Sequence, residues 1–135
     1  MSHIETTSAA SFLFAGKAAF TLQSKVTGTH FSYRISESKD GSVFFASVVL
    51  SGSKLYVGII PSDKREQFRS TRASKLPSSH PAVAALEWFL KHLDSAQVEL
   101  HHEGKCGRCS RKLTHPDSIA TGIGPECIKI LGIAA

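Results

Sequence analysis

The chain has 135 residues, of which 41% are hydrophobic and 20% charged, and its formal net charge is +5. This is enough chain for one compact core and too little for two large ones. No run approaches the roughly 20 apolar residues that cross a bilayer, and no basic residue precedes the short apolar run at residues 12–15, as a secretory signal would require. A soluble cytoplasmic protein with no membrane association is expected.

The first eleven residues show no periodicity and are expected to be frayed. Residues 18–24 and 30–36 then alternate, with Phe20 and Leu22 on one face of the first run and Phe31, Tyr33 and Ile35 on one face of the second. Lys25-Val26-Thr27-Gly28 can turn the chain between them, and Lys39-Asp40-Gly41 can turn it again. Residues 42–50 are apolar on both faces, as a central strand covered by another layer should be. A fourth strand over 55–60 follows Ser51-Gly52-Ser53-Lys54 and ends at Pro61. Residues 61–79 are polar apart from Phe68 and Leu76 and read as a loop.

A helix is predicted over 81–93, with Ser79 or His80 near the N-cap and Pro81 in the first turn, where its missing N–H does no harm. Ala82, Leu86, Phe89, Leu90 and Leu93 make its apolar stripe, and Ala85 allows close approach to the sheet. Trp88 lies beside that stripe, where it can pack on the sheet or offer a stacking platform to a base. A short strand over 97–102 places Val98, Leu100 and His102 on one face and Glu99, His101 and Glu103 on the other. The fold class is therefore α+β: a four-stranded antiparallel meander packed on one helix, followed by a small treble-clef-like module. The body spans 12–96 and the module 97–135.

The module holds all three cysteines of the chain, so none is left over for a disulfide outside it. His102, Cys106, Cys109 and Cys127 stand in the pattern H-x3-C-x2-C-x17-C, which suits a tetrahedral zinc site; four protein ligands leave no open position, so the zinc is structural. The inward register of His102 favours it as the fourth ligand. His115 and His101 are the alternatives, as is a three-cysteine site completed by something else. Gly104 and Gly107 let the backbone curl around a metal, and Gly122 and Gly124 permit a tight entry to a closing helix that would carry Ile128, Ile130 and Leu131.

The positive charge is concentrated in two segments. Lys64, Arg65, Arg69, Arg72 and Lys75 oppose only Glu66 in residues 64–75, and Lys105, Arg108, Arg111 and Lys112 are unopposed in residues 105–112. Outside these segments the chain is net negative. Such patches steer nucleic acids or acidic proteins. No closely spaced acid–base constellation stands outside the metal motif, Asp117 and Ser118 after Pro116 read as a turn or cap, and no P-loop, dinucleotide fingerprint or paired-histidine helix is present. No enzyme is expected.

The run Cys106-Gly107-Arg108-Cys109-Ser110-Arg111-Lys112-Leu113-Thr114-His115-Pro116-Asp117-Ser118, followed by Gly122-Ile123-Gly124-Pro125-Glu126-Cys127, resembles small zinc-binding domains of unknown function found in bacteriophage, prophage and actinobacterial proteins. The pattern of that family is C-x-x-C-G-R-x-L-T-x-P-x-S with G-x-G-P-x-C, and Ser110 stands where glycine is commoner. Residues 16–33 and 58–74 resemble the part that often precedes the domain in phage proteins. The resemblance implies zinc as cofactor and a mobile-element origin. The expected function is a zinc-containing accessory protein that binds DNA or RNA through the two basic segments. The alternative partner is a host defence protein, which the chain would inhibit as an anti-CRISPR does. A small enzyme is a more remote reading.

Overall fold

The computed structural model describes residues 2–4, 9–93, 95, 97–113, 121–124 and 127. Its elements are β1 (Ser2–Ile4), α1 (Ala9–Leu13), β2 (Lys17–Ser24), β3 (His30–Glu37), β4 (Val43–Leu50), β5 (Ser53–Pro61), α2 (Pro81–Lys91) and β6 (Val98–His102). The alternating runs at β2 to β5 form the expected antiparallel meander, joined by turns at the glycines. In the β3–β4 turn, the Asp40 carboxylate accepts from the Ser42 N–H at 3.0 Å and from the hydroxyls of Ser42 and Ser38. These donors hold its pKa down at about 2.

The sheet is larger than a meander. It has six strands in the order β1-β6-β2-β3-β4-β5. β6, which the sequence reading assigns to the module, lies within the body's sheet and pairs along β2, with Leu22 opposite Leu100 and Phe20 opposite His102. β1, expected to be frayed, forms the edge strand beyond it. Three residues are too few to show periodicity, and β1 takes its order from β6 across 100 residues of chain. The short helix α1 is likewise too short to show a helical period, although it buries Ala9, Phe12 and Leu13.

Both helices cover one face of the sheet. Phe12 of α1 meets Phe20 edge-on, with ring centroids 6.3 Å apart. Tyr33 donates its buried hydroxyl to the Ala82 carbonyl in the first turn of α2 at 2.6 Å, and burial raises its pKa well above the usual phenol value. His80 is the N-cap of α2, its Nδ1 accepting from the Ala82 N–H at 3.1 Å, with Pro81 at the first helical position. Ala82, Val83, Leu86, Phe89 and Leu90 are buried against Ala18, Phe20, Leu22, Tyr33, Ile35, Phe44, Ala46 and Val48 of the sheet. Trp88 is not part of that core. It is 37% exposed and stacks on His92, centroids 4.2 Å apart. No described helix is long and apolar enough to cross a membrane.

The loop after β5 is tied to the body. Arg69 pairs with Ile59 through two 2.9 Å backbone hydrogen bonds, the Ser74 hydroxyl donates to the Val57 carbonyl, and the Lys75 N–H donates to the Tyr56 carbonyl. Gly58 makes this possible: a Cβ there would overlap the Arg69 carbonyl and lie 2.6 Å from Phe68 Cζ. Residues 69–75 thus run along the outer edge of β5 and partly close it.

Candidate metal centre

After β6 the chain turns at Gly104 and folds into a tight hairpin. Lys105 pairs with Lys112, the Cys106 N–H donates to the Arg111 carbonyl at 2.8 Å, and the Ser110 N–H donates to the Cys106 carbonyl at 2.9 Å. Closing so short a loop requires Ser110 to adopt φ +65°, in the left-handed region. Cys106 and Cys109 are thereby turned to the same side. The segment 121–124 crosses beneath, its Gly122 carbonyl accepting from the Gly107 N–H, and delivers Cys127.

The three sulfurs lie within 4.8 Å of one another. Cys106 and Cys127 are buried and Cys109 is exposed. The N–H groups of Gly124 and Arg108 point at the Cys106 sulfur, at 3.2 and 3.4 Å, and the Arg108 guanidinium lies 3.7 Å from the Cys127 sulfur. Burial works to raise the Cys106 thiol, but the N–H donors of Gly124, Cys109 and Arg108 outweigh it and its pKa is lowered. Cys127 goes the other way, raised by burial in spite of Arg108. Three convergent thiols with backbone N–H support could hold a soft, thiophilic metal ion. Residues 100–132 match the model of DUF6011, a family of unknown function. No curated protein and no solved structure matches the chain.

The matched region is docked on the body, not appended to it. The Lys17 N–H at the start of β2 donates to the Gly107 carbonyl at 2.6 Å, and Gly107 lies so close to α1 that a Cβ would sit 2.8 Å from the Phe12 ring. Ala15, just after α1, joins Cys106, Leu113, Ile123 and Cys127 in a second small core. The signal for this docking was the apolar run Phe12-Leu13-Phe14-Ala15, which the sequence reading left without a role.

His102 is not among the described side chains whose ligand atoms lie within 4.8 Å of one another. β6 carries it on the helix-covered face, where it is fully buried, its ring is 6.1 Å from that of Phe12, and its Nδ1 accepts from the Gly104 N–H at 2.8 Å. The inward register was read correctly, but inward here means toward α1. His101, on the opposite face, is bonded to Glu99 at 3.0 Å. His115, the turn at Pro116 to Ser118, and the apolar residues Ile128, Ile130 and Leu131 of the expected closing helix lie outside the described residues.

The cations of the two basic segments are also placed. Lys64, Arg65, Arg69, Arg72 and Lys75 are exposed, as are Lys105, Arg111 and Lys112. Arg108 is half-buried and turned to Cys127, so its charge faces the thiol cluster. Arg65 lies over the Phe14 ring, 4.6 Å from its centroid. Two residues on, Gly16 lies beside the Arg108 carbonyl, with a hypothetical Cβ at 3.9 Å.

Proposed function

We propose that the chain is a zinc-containing nucleic-acid-binding accessory protein, acting in a reducing cytoplasm and carried by a phage or other mobile element. The observation that carries this reading is the convergence at residues 14–16, where Arg65 of one basic segment rests on Phe14 and the backbone of Arg108 in the other lies beside Gly16. A member of each run of exposed cations thus approaches the same three residues of the chain, and the summed field of two neighbouring runs would suit a polyanion. The phage origin rests on the sequence resemblance alone.

Zinc fits the donor set: Cys106, Cys109 and Cys127 would hold it, and Arg108 would offset the excess negative charge of three thiolates. Bound there, zinc supplies structural cross-linking of the hairpin to the last segment. The fourth donor would come from outside these three, from His102 ahead of the first cysteine or from His115 between the second and third cysteines in sequence. Metal analysis of reduced protein should give about one zinc per chain, with zinc–sulfur distances near 2.3 Å by X-ray absorption.

The functional test is a titration of single- and double-stranded DNA and RNA at several salt concentrations. Replacing Arg69 and Arg72, or Arg111 and Lys112, with alanine is expected to weaken binding to unrelated sequences by similar factors. The slope of log affinity against log salt should fall by about 0.7 to 0.9 per lost phosphate contact. A second reading, binding and inhibition of a host defence protein, is favoured by a separate feature: an apolar hollow of about 440 Å³ between Trp88, Phe31 and Val98, beside the exposed Val26. No nucleic-acid binding at low salt, with a nuclease-resistant protein partner recovered from host lysate, would replace the first reading by the second.

A further inference from the structure

The helix-free face of the sheet has a composition that the two basic segments, Lys105 apart, do not account for. Opposite the core, β3, β4 and β5 present Arg34, Phe45, Ser47, Lys54 and Tyr56, because each alternates with a buried neighbour such as Tyr33, Phe44, Ala46 or Val57. Phe45 is 42% exposed on a sheet whose other large aromatics, except the half-buried Tyr56, lie on the core side. It meets Tyr56 edge-on, ring centroids 6.4 Å apart. Tyr56 is held there by the Thr71 hydroxyl, which donates to its phenol oxygen at 3.1 Å from the loop along β5. The pair is therefore a preset aromatic surface and not a mobile side chain at an edge.

Beside it is a depression of about 250 Å³ whose floor is made by small residues, Ala19, Ser36 and Ser47, and whose rim carries Lys17, Arg34, Lys54 and Lys105. Ser36 is the register partner of Phe45 and Ser47 that of Tyr56, so the depression adjoins the aromatic pair directly. One carboxylate, Glu103, lines it, and both its oxygens are engaged by the Arg34 guanidinium at 3.0 and 3.1 Å. That pairing fixes the guanidinium in the wall. The three lysines of the rim remain without a carboxylate partner among the described residues, so the depression is net positive.

We infer that this face binds single-stranded nucleic acid, with a phosphate in the depression framed by Lys17, Arg34, Lys54 and Lys105 and a base on the Phe45–Tyr56 surface. The inference rests on the nucleic-acid reading above and adds the strand form and the contact surface. Cations flanking exposed π-faces suit unpaired bases, since a duplex keeps its base faces stacked inside and offers only its phosphates to the same lysines. An acidic peptide would use the lysines and leave the aromatic pair without a partner of matching shape.

The test uses the full zinc-loaded chain, a fluorescent twelve-residue oligothymidylate, a duplex of equal length and a polyglutamate peptide, all at low salt. Phe45→Ala should weaken the single strand by about 5- to 150-fold, the range that loss of one stacked base implies, and leave the duplex within twofold. Lys54→Gln should lower the single-strand salt slope by about 0.7. Both residues are exposed, and an unchanged thermal midpoint for each variant verifies folding; Phe45→Leu, which keeps apolar area without the ring, should bind as poorly as Phe45→Ala. Equal loss for single strand and duplex would overturn the inference, as would single-strand binding indifferent to both variants while Arg69→Ala/Arg72→Ala still weakens it; in that last case the basic-segment reading stands. Polyglutamate binding with the same dependence on Phe45 would overturn it in favour of an acidic protein partner. Failure of every nucleic acid to bind would overturn both readings together.

Discussion

Ser110 illustrates how one backbone angle exposes a local cost. Its φ of +65° closes the hairpin that brings Cys106 and Cys109 together, and a non-glycine residue there carries about 1–2 kcal/mol of steric strain. Glycine would remove that strain but give back about 0.5–1 kcal/mol through greater freedom of the unfolded chain. Ser110→Gly is therefore expected to stabilise the protein by no more than about 1.5 kcal/mol, whereas Ser110→Val, branched at Cβ, should destabilise it by about 1 kcal/mol or more; thermal unfolding of both variants checks the sign. The sequence resemblance implies glycine as the commoner residue at position 110, and the dihedral angle supplies a physical reason for that preference.

Among the elements, β2 to β5 and α2 are legible in the sequence because each is long enough to show its period and is bounded by Gly, Pro or a polar turn. The loop after β5 is harder. Its residues lack a period, yet 69–75 are anchored to β5 by Arg69, Ser74 and Lys75, through a contact that only a residue without a Cβ at position 58 permits. Gly58→Ala should thus force the loop off the strand. A cost of about 1–3 kcal/mol in unfolding free energy is expected, with faster amide exchange at Ile59, Arg69 and Lys75, whose N–H groups make those bonds. Unchanged exchange at these three positions would show that the backbone can yield without releasing the loop.

For the molecule as a whole, the thiol-cluster region and the sheet share a boundary that runs through α1 and β6. Removing metal with a strong chelator is expected to increase amide exchange over residues 103–113 and 121–124, where order depends on the thiol cluster and a small core. β6 should keep much of its protection, because its hydrogen bonds run to β2 in the main sheet. Equal loss of protection in β3 and β4 would mean that the metal holds the whole fold together. Exchange measured by mass spectrometry with and without chelator distinguishes the two.

The amino-acid order by itself determined the α+β class, the four-strand meander, the amphipathic helix with Pro81 in its first turn, and the grouping of three cysteines. Each depends on local period, turn chemistry or ligand spacing, which a linear chain carries explicitly. The tertiary structure decided what distant segments do to one another. It placed β6 between β1 and β2, turned His102 toward Phe12, directed Arg108 to Cys127, and set Phe45 and Tyr56 beside a basic depression. Strand order and the direction in which a buried face looks depend on partners tens of residues away, so alternation can say that His102 points inward without saying what it meets there.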